Sequence, residues 1–179
     1  PRSCRPQRKG DSILWKVWAP FATEVELVLH EGGEERRVTM DPVEESSSIF
    51  FRASFSGPWE GLRYGFSLDG GPPRPDPSTV SQPEGMHELS ALHFPGDFLW
   101  KHDPPPFDPT DLILYELHVG TFTKEGTFDA AIARLEDLVS LGINAIEILP
   151  VAQFPGDRNW GYDGVHLFAA QNSYGGPAG

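Results

Sequence analysis

Cysteine is nearly absent. Cys4 stands alone among 179 residues, so no disulfide can close within the chain, and a reducing cytoplasm is the expected compartment. Cations are scarce as well: 14 Lys and Arg face 26 Asp and Glu, a formal charge of -12. That balance argues against a phosphate backbone or an anionic lipid as partner, since both demand clustered Lys and Arg, while a neutral sugar is compatible with it. No apolar run is long enough for a membrane span or a secretory signal. No internal repeat or low-complexity tract is present. The six His residues show no zinc-like spacing with Cys or carboxylates, and Gly175-Gly176-Pro177 lacks the Lys and the spacing of a phosphate-cradling loop. Neither a metal nor a cofactor is implied. What the chain does hold is apolar mass: 39% hydrophobic residues, with five Trp and twelve Phe, suffice for a packed core.

Residues 1–10 are basic and read as a frayed lead-in; opening at Pro1 without a Met is expected of a piece of a longer protein. Short strands then recur at hairpin spacing, over 13–18, 25–30, 36–40, 49–55 and 64–68. Val25, Leu27 and Leu29 alternate with Glu24 and Glu26, one face buried and one wetted, until Val28 breaks the pattern. Glu31-Gly32-Gly33 and Asp69-Gly70-Gly71 supply turns that tolerate positive φ. The architecture predicted for 11–71 is a β-sandwich. Residues 72–83 carry too much Pro for a central strand or a helix interior, and a second Pro cluster over 103–109 makes a domain boundary near Pro109. The span 72–109 therefore reads as a connection.

From 110 onward the pattern changes. Residues 112–119 form an apolar run bounded by Asp111 and Gly120, the pattern of a strand buried on both faces. Phe128, Ile132, Leu135, Leu138 and Val139 fall at spacings of three and four, which predicts one amphipathic helix over 127–141 with Thr127 as N-cap and Gly142 ending it in a left-handed cap. Residues 145–149 form a second buried strand stopped by Pro150. Two such strands joined by a helix make a right-handed parallel crossover. From 151 to 179 no helical or strand period is sustained, while rings recur at Phe154, Trp160, Tyr162, Phe168 and Tyr174. So long an irregular segment leaving the C-terminal end of a parallel strand is where α/β folds place sites.

Tyr115-Glu116-Leu117-His118-Val119-Gly120-Thr121-Phe122-Thr123, Glu125-Gly126-Thr127-Phe128, Ile148-Leu149-Pro150-Val151, Asn159-Trp160-Gly161-Tyr162-Asp163-Gly164-Val165 and Tyr174-Gly175-Gly176-Pro177 together resemble the opening of the catalytic barrel in the α-amylase superfamily, glycoside hydrolase family 13. Within it the likeness is to the trehalohydrolases, on the strength of Asp163-Gly164-Val165 after Trp160-Gly161-Tyr162. Trp18-Ala19-Pro20 and Gly61-Leu62-Arg63-Tyr64-Gly65-Phe66 resemble the immunoglobulin-like domain that precedes the barrel, similar to family 48 carbohydrate-binding modules. The resemblance implies a multidomain β plus α/β chain, in which 110–179 begin a (β/α)8 TIM barrel that takes about 250 residues in full. It implies malto-oligosyltrehalose or a related α-glucan as substrate, and glycosidic hydrolysis with retention. That chemistry needs two carboxyl groups about 5 to 5.5 Å apart. In the family they come from later strands, beyond Gly179, so no catalytic residue is assigned in this chain and the 179 residues alone are expected to be inactive. Branching and debranching enzymes of the superfamily are the alternative, and a glucan-binding polypeptide without catalysis is the alternative of another class. Trp15, Trp18 and Trp59 could serve such binding or fill the core.

Four residues are the candidate substrate contacts. Tyr162 and Trp160 either cover the apolar face of a sugar ring or pin a long loop to the barrel rim; the resemblance implies that Tyr162 packs against the ring at the bond to be cleaved. Glu116 and His118 share one side of the first strand, by its period of two. His118 is substrate-facing or part of a polar layer, and Glu116 is read as structural. Asp163 either fixes the loop or touches substrate. Glu147 is expected to be buried and hydrogen-bonded rather than an acid catalyst.

Overall fold

The computed structural model describes residues 4–94, 96, 98–101, 103 and 108–179. Residues 1–3 of the lead-in and 104–107 of the second Pro cluster lie outside the described residues. The first half is built from β1 (Gln7–Lys9), β2 (Ser12–Trp18), β3 (Val25–Glu31), β4 (Glu34–Thr39), β5 (Asp41–Glu45), β6 (Ser48–Ser56), β7 (Arg63–Leu68) and β8 (Ser90–Ala91). They form two antiparallel four-stranded sheets, ordered β1-β2-β6-β5 and β4-β3-β7-β8.

Period-two burial explains both sheets. Ile13, Trp15 and Val17 on β2 face Val25, Leu27 and Leu29 on β3 and Tyr64 and Phe66 on β7 across a single core. Trp15 meets Tyr64 edge-on at 5.8 Å, and Tyr64 meets Phe66 at 6.2 Å. Burying each such side chain contributes roughly 2–3 kcal/mol. The hairpin between β3 and β4 turns on Gly32 and Gly33, both at positive φ, as its two-residue loop requires.

Two expectations for this half need correction. The lead-in is not wholly frayed, because Gln7–Lys9 pairs with β2 as an edge strand. The connection read over 72–109 is in part a piece of the sandwich: Arg74 exchanges backbone hydrogen bonds with Phe66 at 2.8 and 2.9 Å, and Ser90–Ala91 adds the strand beyond β7. That packing also explains Val28. It is fully buried on the sheet's outer face, opposite Gly65, where a Cβ on Gly65 would lie 2.5 Å from the Arg74 carbonyl oxygen and 2.7 Å from Leu89. The connecting segment covers that face.

The second half runs β9 (Leu114–Leu117), α1 (Val119–Phe122), α2 (Phe128–Ile132), α3 (Leu135–Ser140), β10 (Ala145–Ile148), β11 (Ala152–Gln153) and β12 (His166–Ala170). β9 and β10 pair in parallel, with the helices between them. Thr127 accepts from the Ala130 N–H at 3.2 Å as N-cap, and Gly142 ends α3 at φ +86°.

The single helix expected over 127–141 is two. Arg134 sits at φ -105°, ψ 0° and its N–H reaches back to Ala131 at 3.0 Å, a three-residue closure that tightens and breaks the helix. Ala131 and Leu138 are the residues buried, while Ile132 and Val139 of the expected apolar face are exposed. The strands expected to be buried on both faces are likewise open: Leu114, Ile146 and Ile148 are exposed, because the described residues place no layer over them. Glu147, expected to be buried, is exposed and stands in register with exposed Glu116. The segment after Pro150 is not wholly irregular either. β11 and β12 make an antiparallel pair interrupted by a bulge, followed by short 3-10 turns at Asn172–Tyr174 and Gly176–Ala178.

Candidate functional site

His118 leaves the end of β9 in extended conformation, at φ -101° and ψ 112°. Its Nε2 lies 2.7 Å from the carbonyl oxygen of Asn159, and its Nδ1 lies 3.2 Å from the Thr121 hydroxyl. A carbonyl only accepts, so Nε2 carries the hydrogen and Nδ1 is free to accept from Thr121. The ring also stands edge-on to Trp160 at 5.9 Å and to Tyr174 at 6.1 Å. His118 thus clasps the long loop between β11 and β12 to the end of the parallel strand.

Asn159 shapes that loop from within. Its Oδ1 accepts from the Gly161 N–H at 2.8 Å and from the Asp163 N–H at 3.4 Å, while its Nδ2 donates to Asp163 at 2.8 Å. This is an Asx-type closure, the reason Asn favours such turns. Gly161 holds φ +97° hard against Pro150, so the turn is seated on the chain just past β10.

Beneath the loop, amides replace a sheet. Gln171 accepts from the Phe154 N–H at 2.9 Å and donates to the Gly156 carbonyl at 2.8 Å. Gln153 accepts from the Asn172 N–H at 2.9 Å. Both glutamines are buried, and their bonds satisfy backbone groups that an irregular segment would leave orphaned. Phe154 and Tyr174, 5.7 Å apart, form the apolar floor with Leu117 and Val119. Burial pushes the Tyr174 phenol up. Gly120 is required here, since a Cβ on it would lie 2.8 Å from the Tyr174 ring.

The outcome is an open groove of about 480 Å³ lined by His118, Gly120, Thr121, Asp157, Arg158, Asn159 and Trp160. Of the four candidate contacts, His118 and Trp160 meet in it. Trp160 is 74% exposed and can offer a ring face. Tyr162 is 72% exposed but outside the lining. Asp163 is exposed, with its carboxylate held by Asn159, and does not line the groove either. Asp157 and Arg158 also line it and are not among the four. Their signal was a charged pair inside an otherwise aromatic and glycine-rich loop.

A sugar can be gripped here by a ring face, a guanidinium, hydroxyl and amide groups. Among the described residues the lining holds one carboxylate, Asp157, so they do not assemble the pair that glycoside hydrolysis needs. Among the described residues no cluster of three or more His, Cys, Asp or Glu could hold a metal ion.

Residues 3–80 match the family model of carbohydrate-binding module 48, the isoamylase N-terminal domain. A malto-oligosyltrehalose trehalohydrolase of Saccharolobus solfataricus is 43% identical over 171 residues, which is 94% of this chain and 29% of that protein. A malto-oligosyltrehalose trehalohydrolase of Arthrobacter ramosus is 44% identical over 162 residues, 90% of this chain and 28% of its own length. Among solved structures, a putative alpha amylase from Salmonella typhimurium superposes with a TM-score of 0.85 at 35% identity, over 97% of this chain and 29% of that one. The chain spans under a third of the length of the relatives it matches. Over that span it is similar in sequence to the malto-oligosyltrehalose trehalohydrolases and in fold to a putative alpha amylase, and its first part, a β-sandwich, is similar to carbohydrate-binding module 48.

Proposed function

We propose that this chain forms one wall of the substrate cleft in a glycoside hydrolase that cuts the α-1,4 bond next to the terminal trehalose of malto-oligosyltrehalose and releases trehalose. The observation that carries the reading is the 43% identity to an enzyme of that name, which covers 94% of the chain and so includes sandwich and groove alike. The parallel pair β9–β10 with helices between is read as the first unit of a (β/α)8 barrel. The groove then lies at the C-terminal ends of the strands, where such barrels work. Trp160 offers its ring to the apolar face of a glucose unit, His118 holds the loop that carries it, and Tyr162 packs against the ring at the scissile bond, as the family resemblance implies.

In a retaining mechanism one carboxyl protonates the leaving oxygen and the other attacks the anomeric carbon. With one carboxylate in the groove, this chain positions the sugar, and the acids come from elsewhere in the complete protein. The test is product analysis of the complete protein acting on malto-oligosyltrehalose. Free trehalose beside a shortened malto-oligosaccharide is the expected result. New α-1,6 branches, or debranched chains without trehalose, would refute it. Hydrolysis by residues 1–179 alone would refute the assignment of the acids.

A further inference from the structure

Arginines across the surface are held by carboxylates. Arg63 is locked onto Glu84 at 2.7 to 3.0 Å, Arg37 bridges Glu35 and Glu26 at 2.7 and 2.9 Å, and Arg134 meets Asp137 at 2.6 Å. Asp157 and Arg158 differ from these. Both are exposed, and both line the groove that holds His118 and Trp160. Among the described residues neither side chain makes an ion pair or a hydrogen bond, even with the other, so the polar atoms of both stay open to a ligand.

The backbone presents this pair from a bracket pinned at both ends. Before it, the Gly156 carbonyl accepts from the buried Gln171 amide at 2.8 Å; after it, the Asn159 carbonyl accepts from His118 Nε2 at 2.7 Å. Gly156 enters the bracket at φ +74°, a left-handed bend that glycine makes without strain. Beyond it, Asn159 closes its own turn onto the Gly161 N–H at 2.8 Å, and Trp160 stands between the two. One set of side chain to backbone bonds therefore places the charged pair and the exposed ring together. A backbone held in advance lowers the ordering cost of binding.

We infer that Asp157 and Arg158 are substrate-gripping residues of the cleft, which bind neighbouring hydroxyls of the glucose unit whose apolar face Trp160 covers. The inference rests on the glycoside hydrolase reading above and deepens it by naming the polar half of the sugar contact. The chemistry decides between a sugar and an anion. A lone guanidinium favours phosphate or carboxylate. Here Asp157 stands next to it in the chain, so the formal charges of this pair cancel, and the chain as a whole carries -12. A hydroxyl both donates and accepts. Two neighbouring hydroxyls of a sugar ring accept from the N–H groups of the guanidinium and donate to the oxygens of the carboxylate, while the Trp160 ring meets the C–H side of the same sugar.

Steady-state kinetics of the complete protein on malto-oligosyltrehalose, read as trehalose release, tests the pair. Arg158→Ala and Asp157→Ala are each expected to raise KM by about tenfold, with a smaller change in kcat, as loss of a charge-assisted bond made to bound substrate requires. Arg158→Lys keeps the charge but not the planar fork and is expected to recover little. Urea midpoints should stay in place, because both side chains are exposed. A parent-like KM in either Ala variant overturns the assignment of that residue. Full recovery by Arg158→Lys overturns hydroxyl recognition in favour of simple charge, and a fallen urea midpoint that accounts for the loss overturns the contact in favour of a structural role. A parent that releases no trehalose removes the trehalohydrolase reading instead. Calorimetric titration of the same proteins with maltoheptaose then decides the pair: binding by the parent that weakens about tenfold in Arg158→Ala supports it, and equal binding or none overturns it.

Discussion

Gly161 separates Trp160 from Tyr162, and replacing it by Ala should disturb the loop for two reasons that can be told apart. Its φ of +97° lies in the region an L side chain occupies at a cost of about 1–2 kcal/mol. A Cβ there would also run into the Pro150 carbonyl oxygen and stand 2.8 Å from its carbon. Backbone cannot swing aside as a flexible side chain does, so the seat must shift, at a cost of about 1–3 kcal/mol. Gly142 isolates the first contribution: it holds φ +86°, yet a Cβ on it meets nothing within 4 Å. Urea unfolding of both variants, followed by circular dichroism, should show Gly142→Ala losing about 1–2 kcal/mol and Gly161→Ala losing about 2–5 kcal/mol. Equal losses would refute the steric half of the reasoning, and a Gly161→Ala chain as stable as the parent would refute all of it.

Tyr162→Ala in the complete protein is expected to lower turnover on malto-oligosyltrehalose by up to about tenfold while leaving stability within about 0.5 kcal/mol, because the ring is exposed; unchanged turnover would remove it from the site. His118→Ala frees the Asn159 carbonyl, a bond of about 1 kcal/mol, and should raise KM more than it lowers kcat, with His118→Gln recovering part of the loss; three equal KM values would deny His118 a positioning role. Burial holds the Asp76 carboxyl above its ordinary range, against the lowering effect of the Ser78 and Tyr64 hydrogen bonds, so the folded chain keeps that proton to higher pH than the unfolded chain does. The stability this group contributes is full below the unfolded-state value and is lost as pH rises through the folded-state value. Asp76→Asn should flatten that fall in urea midpoints measured across the acid range, and an unchanged slope would show that another group is responsible.

How far the structure can be read in advance depends on how much of each element's burial is written in its own residues. Ile13, Trp15 and Val17 announce a half-buried strand because the opposing sheet covers only one face of β2, and the sandwich is legible for that reason. Ser90–Ala91 announces nothing, since two small residues become a strand only by lying beside β7. The edge strand β5 hides in an acidic segment around Pro42, a residue that edges tolerate and central strands do not. The expected burial of β9 and β10 fails in the opposite direction. Their apolar residues ask for neighbours on both faces, and the described residues provide them only around Leu117. At the groove, Trp160 and His118 stand out through a motif. Asp157 and Arg158 do not, because charge in a loop is ordinary and only the fold shows that this pair faces a cavity.

The segment that reads as a mere connection also joins the two halves mechanically. Asp76 is pinned to the sandwich through the Tyr64 hydroxyl at 2.9 Å and through its own N–H to the Ser90 hydroxyl at 3.0 Å. Farther along, the Met86 carbonyl meets His166 Nε2 at 3.0 Å, and the Pro83 carbonyl accepts from Asn172 at 3.1 Å. His166 and Asn172 belong to β12 and the turn after it, the same short stretch whose Gln171 supports Phe154 and Gly156. Three of these links engage a backbone group, and those at the Asp76 N–H and the Met86 carbonyl are buried or half-buried, of the kind that costs about 1–3 kcal/mol to leave unmet. A sandwich tied in this way sets where β12 lies, β12 sets the floor of the loop, and the loop carries Trp160. The sandwich therefore acts on the groove by fixing its position.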